Sequence, residues 1–152
     1  QLKITTMEYP DQKLKDTWVR EGVTPEVVKW TKSFGKFLSE SGGGKSALTT
    51  GQLRRFFGEV KRIETDVVKY KTDIPMLKPL LAYAVGRDKK KIKSGVVNKT
   101  RIEEFEQEIS RAIGAIRFDN NQNLKSDYKN FAQILEAIVA YHKYYGGQEN
   151  SN

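Results

Sequence analysis

The side chains that could perform catalytic chemistry are few. The triplet Gly44-Lys45-Ser46 has the residue types of a phosphate-binding loop, in which backbone amides cradle a nucleotide phosphate. Such a loop needs a glycine five positions before Gly44, where this chain has Ser39. It also needs a preceding strand, which the sequence pattern does not predict. We therefore predict that the triplet is not a nucleotide site.

Histidine and carboxylate groups give no better catalytic centre. His142, the only histidine, lies on the apolar stripe of the last predicted helix, which favours a packed, hydrogen-bonded core side chain. Four acidic residues are explained by the start and outer face of the fourth predicted helix: Glu103, Glu104, Glu106 and Glu108. Cysteine is absent, and no nucleophile is paired with a base. We therefore expect no enzymatic activity, no metal and no cofactor.

Positive charge is the chemical property that is concentrated in this chain. Residues 50–101 hold 14 Lys and Arg against five Asp and Glu, whereas the remainder holds 13 basic and 14 acidic residues. A solubilising surface would spread both signs over the chain. The pattern therefore indicates a polyanionic partner, and an unpartnered, solvated charged face is the alternative.

A stripe of cations on the second predicted helix could contact this polyanion. On a helical wheel Arg55, Arg62 and Lys69 superimpose opposite the apolar side, and Arg54 and Lys61 flank them. Their spacing of roughly 10.5 Å lets long side chains follow successive phosphates of a nucleic acid. Phosphate contacts carry no sequence information, so the predicted binding is sequence-tolerant. The alternative explanation is ion pairing within the helix, to the neighbouring acidic residues Glu59 and Asp66.

Five amphipathic helices are predicted to position these residues. The first covers about 25–40, and the second begins at Thr49 or Thr50 and ends near residue 71. The third opens at Asp73 and Pro75 and ends near Gly86, with Pro79 either at its start or at a kink. Asp88 to Val97, which contains the lysine cluster 89–93, is predicted to be an exposed loop.

The last two helices have their own start signals. Thr100 and Glu103 have the spacing of a capping box for the fourth helix, and 119–123 is predicted to be a polar turn. Ser126 or Asp127 is predicted to start the fifth helix, which Gly146-Gly147 ends. Five aromatic residues have core spacing and are predicted to pack rather than to stack on bases: Phe56, Phe57, Phe105, Tyr128 and Phe131.

These elements predict an all-α fold, a single-domain bundle of about five helices over residues 1–152. Residues 1–23 and 148–152 are predicted to be frayed, and the glycine-rich segment 41–48 to be a flexible linker. The chain has no run of 18 apolar residues, and its first ten residues lack a signal peptide's hydrophobic stretch. We therefore expect a cytoplasmic protein that does not contact a membrane.

Three segments carry a family resemblance. They are 49–63, with Leu53-Arg54-Arg55-Phe56-Phe57-Gly58; 76–87, with Lys78-Pro79, Ala82-Tyr83 and Gly86-Arg87; and 131–147, with Ala140-Tyr141-His142-Lys143. Together and in this order they resemble the small subunit of type III-A CRISPR (Csm) effector complexes. The resemblance implies a compact helical bundle whose copies associate with one another and stack along the CRISPR RNA and target RNA. It also implies contact with the Cas10 large subunit and other Csm subunits, which carry out cleavage.

The resemblance also assigns RNA contacts by position: Arg54, Arg55, Lys61, Arg62, Lys78 and Arg87. Lys69 joins this set from the helical wheel alone. Two other functions are compatible with the sequence. One is a protein-only scaffold subunit whose basic face meets acidic partner proteins, and the other is a peripheral membrane protein that uses the lysine cluster 89–93.

Overall fold

The amphipathic segments form six α-helices in a computed structural model that describes residues 9–93 and 99–146. The helices are α1 (Asp16–Glu21), α2 (Pro25–Leu38), α3 (Thr50–Glu64), α4 (Leu77–Lys93), α5 (Ile102–Ala115) and α6 (Asn121–Tyr144). No strand occurs within these described ranges, and the predicted all-α bundle is confirmed. None of the six helices has the length and hydropathy of a membrane span.

The longest helix, α6, is the centre of the packing. Its apolar side meets α1, α2, α3 and α5, and residues such as Phe131 and Leu135 on it are fully buried. Gly35 lets α2 approach closely, because a Cβ there would lie 2.7 Å from the Cβ of Tyr141. On the α3 side the Tyr128 hydroxyl donates a 2.8 Å hydrogen bond to the Val60 carbonyl.

The segment before α2 is packed against the bundle. Leu14, Trp18 and Val19 are buried, and the Trp30 indole donates a 2.7 Å hydrogen bond to the Gln12 carbonyl. The prediction that 1–23 is frayed is therefore wrong for residues 9–22. The reason is that this segment buries two large apolar side chains, which offsets the entropy lost on ordering it. Residues 1–8 and 148–152 of the same prediction lie outside the described ranges.

The glycine-rich connection after α2 is anchored at both ends. Gly43 and Gly44 adopt positive φ angles of 59° and 81° in a tight turn that pairs Gly42 with Lys45. Leu48 is fully buried, and its amide donates a 2.8 Å hydrogen bond to the Leu38 carbonyl. The prediction of a flexible linker over 41–48 is therefore wrong, because a buried side chain and backbone hydrogen bonds hold it.

Helix α3 is shorter than predicted. Its N-terminus has a complete capping box between Thr49 and Gln52, but the helix ends at Glu64 rather than near residue 71. The Asp66 carboxylate accepts a 3.2 Å hydrogen bond from the Lys69 amide. Such local bonds compete with helical ones, and turns follow as far as a 3₁₀ turn at Lys71–Asp73.

Helix α4 is longer than predicted, because Gly86 lies within it and Asp88 to Lys93 continue it. The predicted loop from Asp88 is therefore wrong as far as Lys93, and residues 94–98 lie outside the described ranges. Asp88 is 4% exposed, and its carboxylate accepts hydrogen bonds from the amide and the hydroxyl of Thr100 at 2.8 and 3.2 Å. A buried aspartate whose carboxylate is hydrogen-bonded in this way is part of the core rather than of a loop.

The starts of the last two helices also differ from prediction. The Thr100 hydroxyl donates a hydrogen bond to Asp88 instead of taking part in the predicted capping box. Helix α5 begins after Arg101 without such a box. Helix α6 begins at Asn121, since the Asn120 side chain accepts a 2.7 Å hydrogen bond from the Asn123 amide. Asp127 is not a cap, because it is fully buried in a bidentate ion pair with Arg117 at 2.9 and 3.0 Å.

Candidate nucleic-acid interface

Two polar contacts fix how α3 and α4 lie together. At one end Arg62 of α3 meets Asp73, just before α4, at 2.7 Å. At the other end the Gln52 amide donates a 3.3 Å hydrogen bond to Thr100, which in turn binds Asp88 near the end of α4. The two helices are therefore antiparallel, and their outer surfaces form one continuous face.

One predicted contact residue of each helix, Arg55 on α3 and Arg87 on α4, lies at a similar height. Arg55 lies about 4.5 Å along α3 from Gln52, and Arg87 lies about 1.5 Å along α4 from Asp88. Because the contacts above place Gln52 and Asp88 at similar heights, Arg55 is about level with the part of α4 between Tyr83 and Arg87. Residues from two of the sequence segments are thus brought together by the fold.

Four of the predicted RNA-contact residues are unpaired cations. Three of them, Arg54, Arg55 and Arg87, define the surface that we call the α3–α4 face, and Lys78 lies on the side of α4 next to α5. Arg54 and Arg55 on α3 and Lys78 and Arg87 on α4 are exposed. None of them forms an ion pair with another residue in the described ranges. Their charges are available to an anionic partner.

Two other predicted contacts are already paired within the protein. The Arg62 guanidinium binds Glu59 and Asp73, each at 2.7 Å, and Lys61 lies 2.9 Å from Glu64. The hydrogen bonds that Arg62 donates to Glu59 and then to Asp73 raise the pKa of Arg62, and the bond that Lys61 donates to Glu64 raises the pKa of Lys61. The ion pairing that was the alternative explanation of the stripe is therefore present between Arg62 and Glu59, whereas Asp66 forms no ion pair with the described residues. Exposed pairs of this kind are weak.

The predicted heptad stripe does not reach Lys69. Since α3 ends at Glu64, Lys69 is outside the helix and is not superimposed on Arg55 and Arg62. It is exposed, and its ammonium lies 5.2 Å from the centroid of the Tyr70 ring. The helical-wheel prediction was wrong at Lys69 because the helix ends before this residue, where Asp66 forms a local hydrogen bond.

Sequence reasoning missed a second group of unpaired cations. Lys29, Lys32 and Lys36 lie along one side of α2 and form no ion pair with the described residues. Lys36 instead lies 5.3 Å from the centroid of the Tyr145 ring. Their three- and four-residue spacing was readable in the sequence. The charge count missed them because α2 lies outside residues 50–101, in the remainder of the chain, where basic and acidic residues nearly cancel.

The residues considered for catalysis have structural roles. His142 is 2% exposed, and its Nε2 lies 2.7 Å from the Leu48 carbonyl, which confirms the predicted core histidine. A carbonyl only accepts, so Nε2 carries the proton. Burial first, opposed by the Leu48 hydrogen bond, lowers the pKa of His142. Lys45 of the glycine triplet lies 2.6 Å from Glu104.

The prediction that Glu108 lies on the outer face of α5 is wrong. It is 1% exposed, and its carboxylate accepts hydrogen bonds from the Leu14 amide at 2.9 Å and from the Tyr9 hydroxyl. Burial, followed by the hydrogen bond to Glu108, raises the pKa of Tyr9. Within 9–93 and 99–146 no group of three or more metal-ligating side chains is found.

Comparison with known proteins adds one match. The family model described as Csm2 Type III-A matches residues 23–148, which contain α2 to α6 and every predicted contact residue. No curated protein matches the chain. No solved structure matches it either.

Proposed function

The chain belongs to the Csm2 type III-A family, and is thus the small subunit of a type III-A CRISPR effector complex; from this premise we propose that it binds RNA through the α3–α4 face. Family membership implies association with other Csm subunits. The proposal adds that copies of the chain stack along the CRISPR RNA and target RNA, next to the Cas10 large subunit, without reading sequence.

The observation that carries the proposal is the set of unpaired cations on two adjacent helices. Arg54, Arg55, Lys78 and Arg87 keep their charge uncompensated within the described structure, whereas Arg62 and Lys61 do not. Unpaired, exposed cations neutralise phosphates and release counterions, which is the main source of affinity in sequence-tolerant binding. The burial of His142 and Glu108 inside the bundle is consistent with a role that does not involve catalysis.

The test measures affinity for single-stranded RNA over a range of salt concentrations. We expect Arg54→Ala/Arg55→Ala to weaken binding to unrelated sequences equally, and to flatten the slope of log affinity against log salt by about 0.7 per contact. Lys29→Ala/Lys32→Ala on α2 removes the same charge elsewhere and is the matched control. It should leave the slope near that of the unchanged protein.

Three outcomes would contradict parts of the proposal. Equal losses in the two double variants would mean that net charge, and not the α3–α4 face, determines affinity. Absence of RNA binding at physiological salt, with other Csm subunits still bound, would support the protein-only scaffold. Cleavage of RNA or hydrolysis of ATP by the isolated chain would refute the non-catalytic role.

A further inference from the structure

An exposed tyrosine lies beside Arg87 on α4. Tyr83 on α4 is 66% exposed, and its neighbour one turn earlier, Leu80, is 41% exposed. The guanidinium carbon of Arg87, one turn later, lies 5.8 Å from the centroid of the Tyr83 ring. The three side chains follow one another at steps of three and four residues and therefore share one side of the helix.

This side of α4 faces away from α5. Lys78 marks the opposite side, because its ammonium lies 3.4 Å from the position that a Cβ on Gly114 of α5 would occupy. At 100° per residue Tyr83 and Arg87 are about 140° and 180° away from Lys78 around the helix. They therefore lie on the outer side of α4, away from α5, and Arg55 of the neighbouring α3 lies at about the same level.

We propose that Tyr83 is a stacking site for one base of single-stranded RNA, with Arg55 and Arg87 binding the phosphates on either side of that base. The inference rests on the proposed function and assigns a second kind of contact to the same face. A tyrosine ring accepts any base on its π-face, so stacking preserves sequence tolerance. The phosphate contacts supply salt dependence, and the stacked base supplies affinity that salt does not screen.

The charges beside Tyr83 favour a nucleotide over an apolar protein surface. A protein covering Leu80 and Tyr83 would also remove water from Arg55 and Arg87, neither of which has a carboxylate partner among the described residues. Burying an unpaired charge is costly. RNA carries a base and a phosphate in adjacent positions, so it covers the ring and neutralises the guanidinium groups together.

The experiment compares Tyr83→Ala and Tyr83→Phe in the full chain, with a single-stranded RNA of mixed sequence and with polyphosphate as a polyanion that lacks bases. Tyr83→Ala should weaken RNA binding about five- to hundredfold with an unchanged salt slope, since it removes a stacked base and no phosphate contact. Tyr83→Phe keeps the ring and should bind RNA within about twofold of the unchanged protein. Polyphosphate binding should be the same in all three proteins.

A second tyrosine gives a matched control. Tyr144 at the end of α6 is 75% exposed, and Tyr144→Ala should leave RNA affinity unchanged. Equal RNA affinity in Tyr83→Ala and the unchanged protein would overturn the stacking site, and if Arg54→Ala/Arg55→Ala still weakens binding, the proposed function survives. Loss of self-association or of Csm subunit binding in Tyr83→Ala, with RNA affinity intact, would overturn it in favour of a protein interface.

Discussion

The guanidinium of Arg62 lies 2.7 Å from the carboxylate of Asp73, eleven residues further along the chain. This contact joins the last turn of α3 to the segment that leads into α4, and it neutralises a cation that the helical wheel places at the centre of a phosphate-binding stripe. The number of unpaired cations on this surface therefore depends on an acidic residue, Asp73, that lies outside α3.

Asp73→Asn should convert Arg62 into an additional RNA contact. With Asp73 neutral, Arg62 keeps only the Glu59 carboxylate, and a phosphate competes for it more easily. We expect affinity for single-stranded RNA to rise and the salt slope to steepen by up to about 0.7. Asp11→Asn changes the net charge equally at an exposed position before α1 and is the control. Identical behaviour of the two variants would show that Arg62 gains no contact.

His142 should make stability depend on pH. Its pKa in the folded protein is lowered from 6.5 by burial, so the unfolded chain binds the proton more readily. The corresponding stability is complete above pH 6.5 and is lost as the pH falls from there through the lowered folded-state pKa. Urea unfolding between pH 7.5 and 5.5 should show this decline in the unchanged protein and a flatter profile in His142→Ala.

The same variant separates stability from binding. His142→Ala removes a buried ring and leaves the Leu48 carbonyl without its donor, which should lower the free energy of unfolding by about 1–3 kcal/mol. RNA affinity at pH 7.5 should stay within about twofold, because His142 is buried away from the α3–α4 face. Lost affinity with unchanged unfolding would reverse this assignment.

Glu108 should hold the segment before α1 on the bundle. Glu108→Ala leaves the Leu14 amide and the Tyr9 hydroxyl without an acceptor, at a cost of about 1–3 kcal/mol for each buried group. Trypsin should then cleave after Lys13 and Lys15 faster than in the unchanged protein. Glu103→Ala on the same helix, whose ion pairs are with Lys45 and Lys99, should leave that cleavage unchanged. Cleavage at equal rates in both variants would count against this role.

Two glycines should respond in opposite directions to the same substitution. Gly35→Ala places a Cβ 2.7 Å from the Tyr141 Cβ and 3.0 Å from the His142 amide, and should destabilise the protein by about 1–3 kcal/mol. Gly58→Ala on α3 meets open space and should stabilise by about 0.5–1 kcal/mol through helix propensity. Thermal unfolding distinguishes them, and a stabilising Gly35→Ala would refute the close approach of α2 and α6.

The sequence by itself determined the helical class and several local features. Apolar residues at three- and four-residue steps require one buried side per helix, which correctly gave α2, α5 and the buried position of His142. Proline at the start of α2 and the position of α3 after Thr49 follow from capping, which involves only neighbouring residues. Such signals are local and can be read without a fold.

Tertiary structure decided which polar residues remain available to a partner. Asp73 forms an ion pair with Arg62, and Thr100 is hydrogen-bonded to the buried Asp88. Arg117 forms an ion pair with the buried Asp127. In each case the two residues belong to different parts of the chain, so they never appear on the same helical wheel. Burial of a charge is stable only where a partner compensates its lost hydration, and partners of this kind exist only once the helices have packed. The sequence therefore gives the cations, and the fold decides which of them remain unpaired.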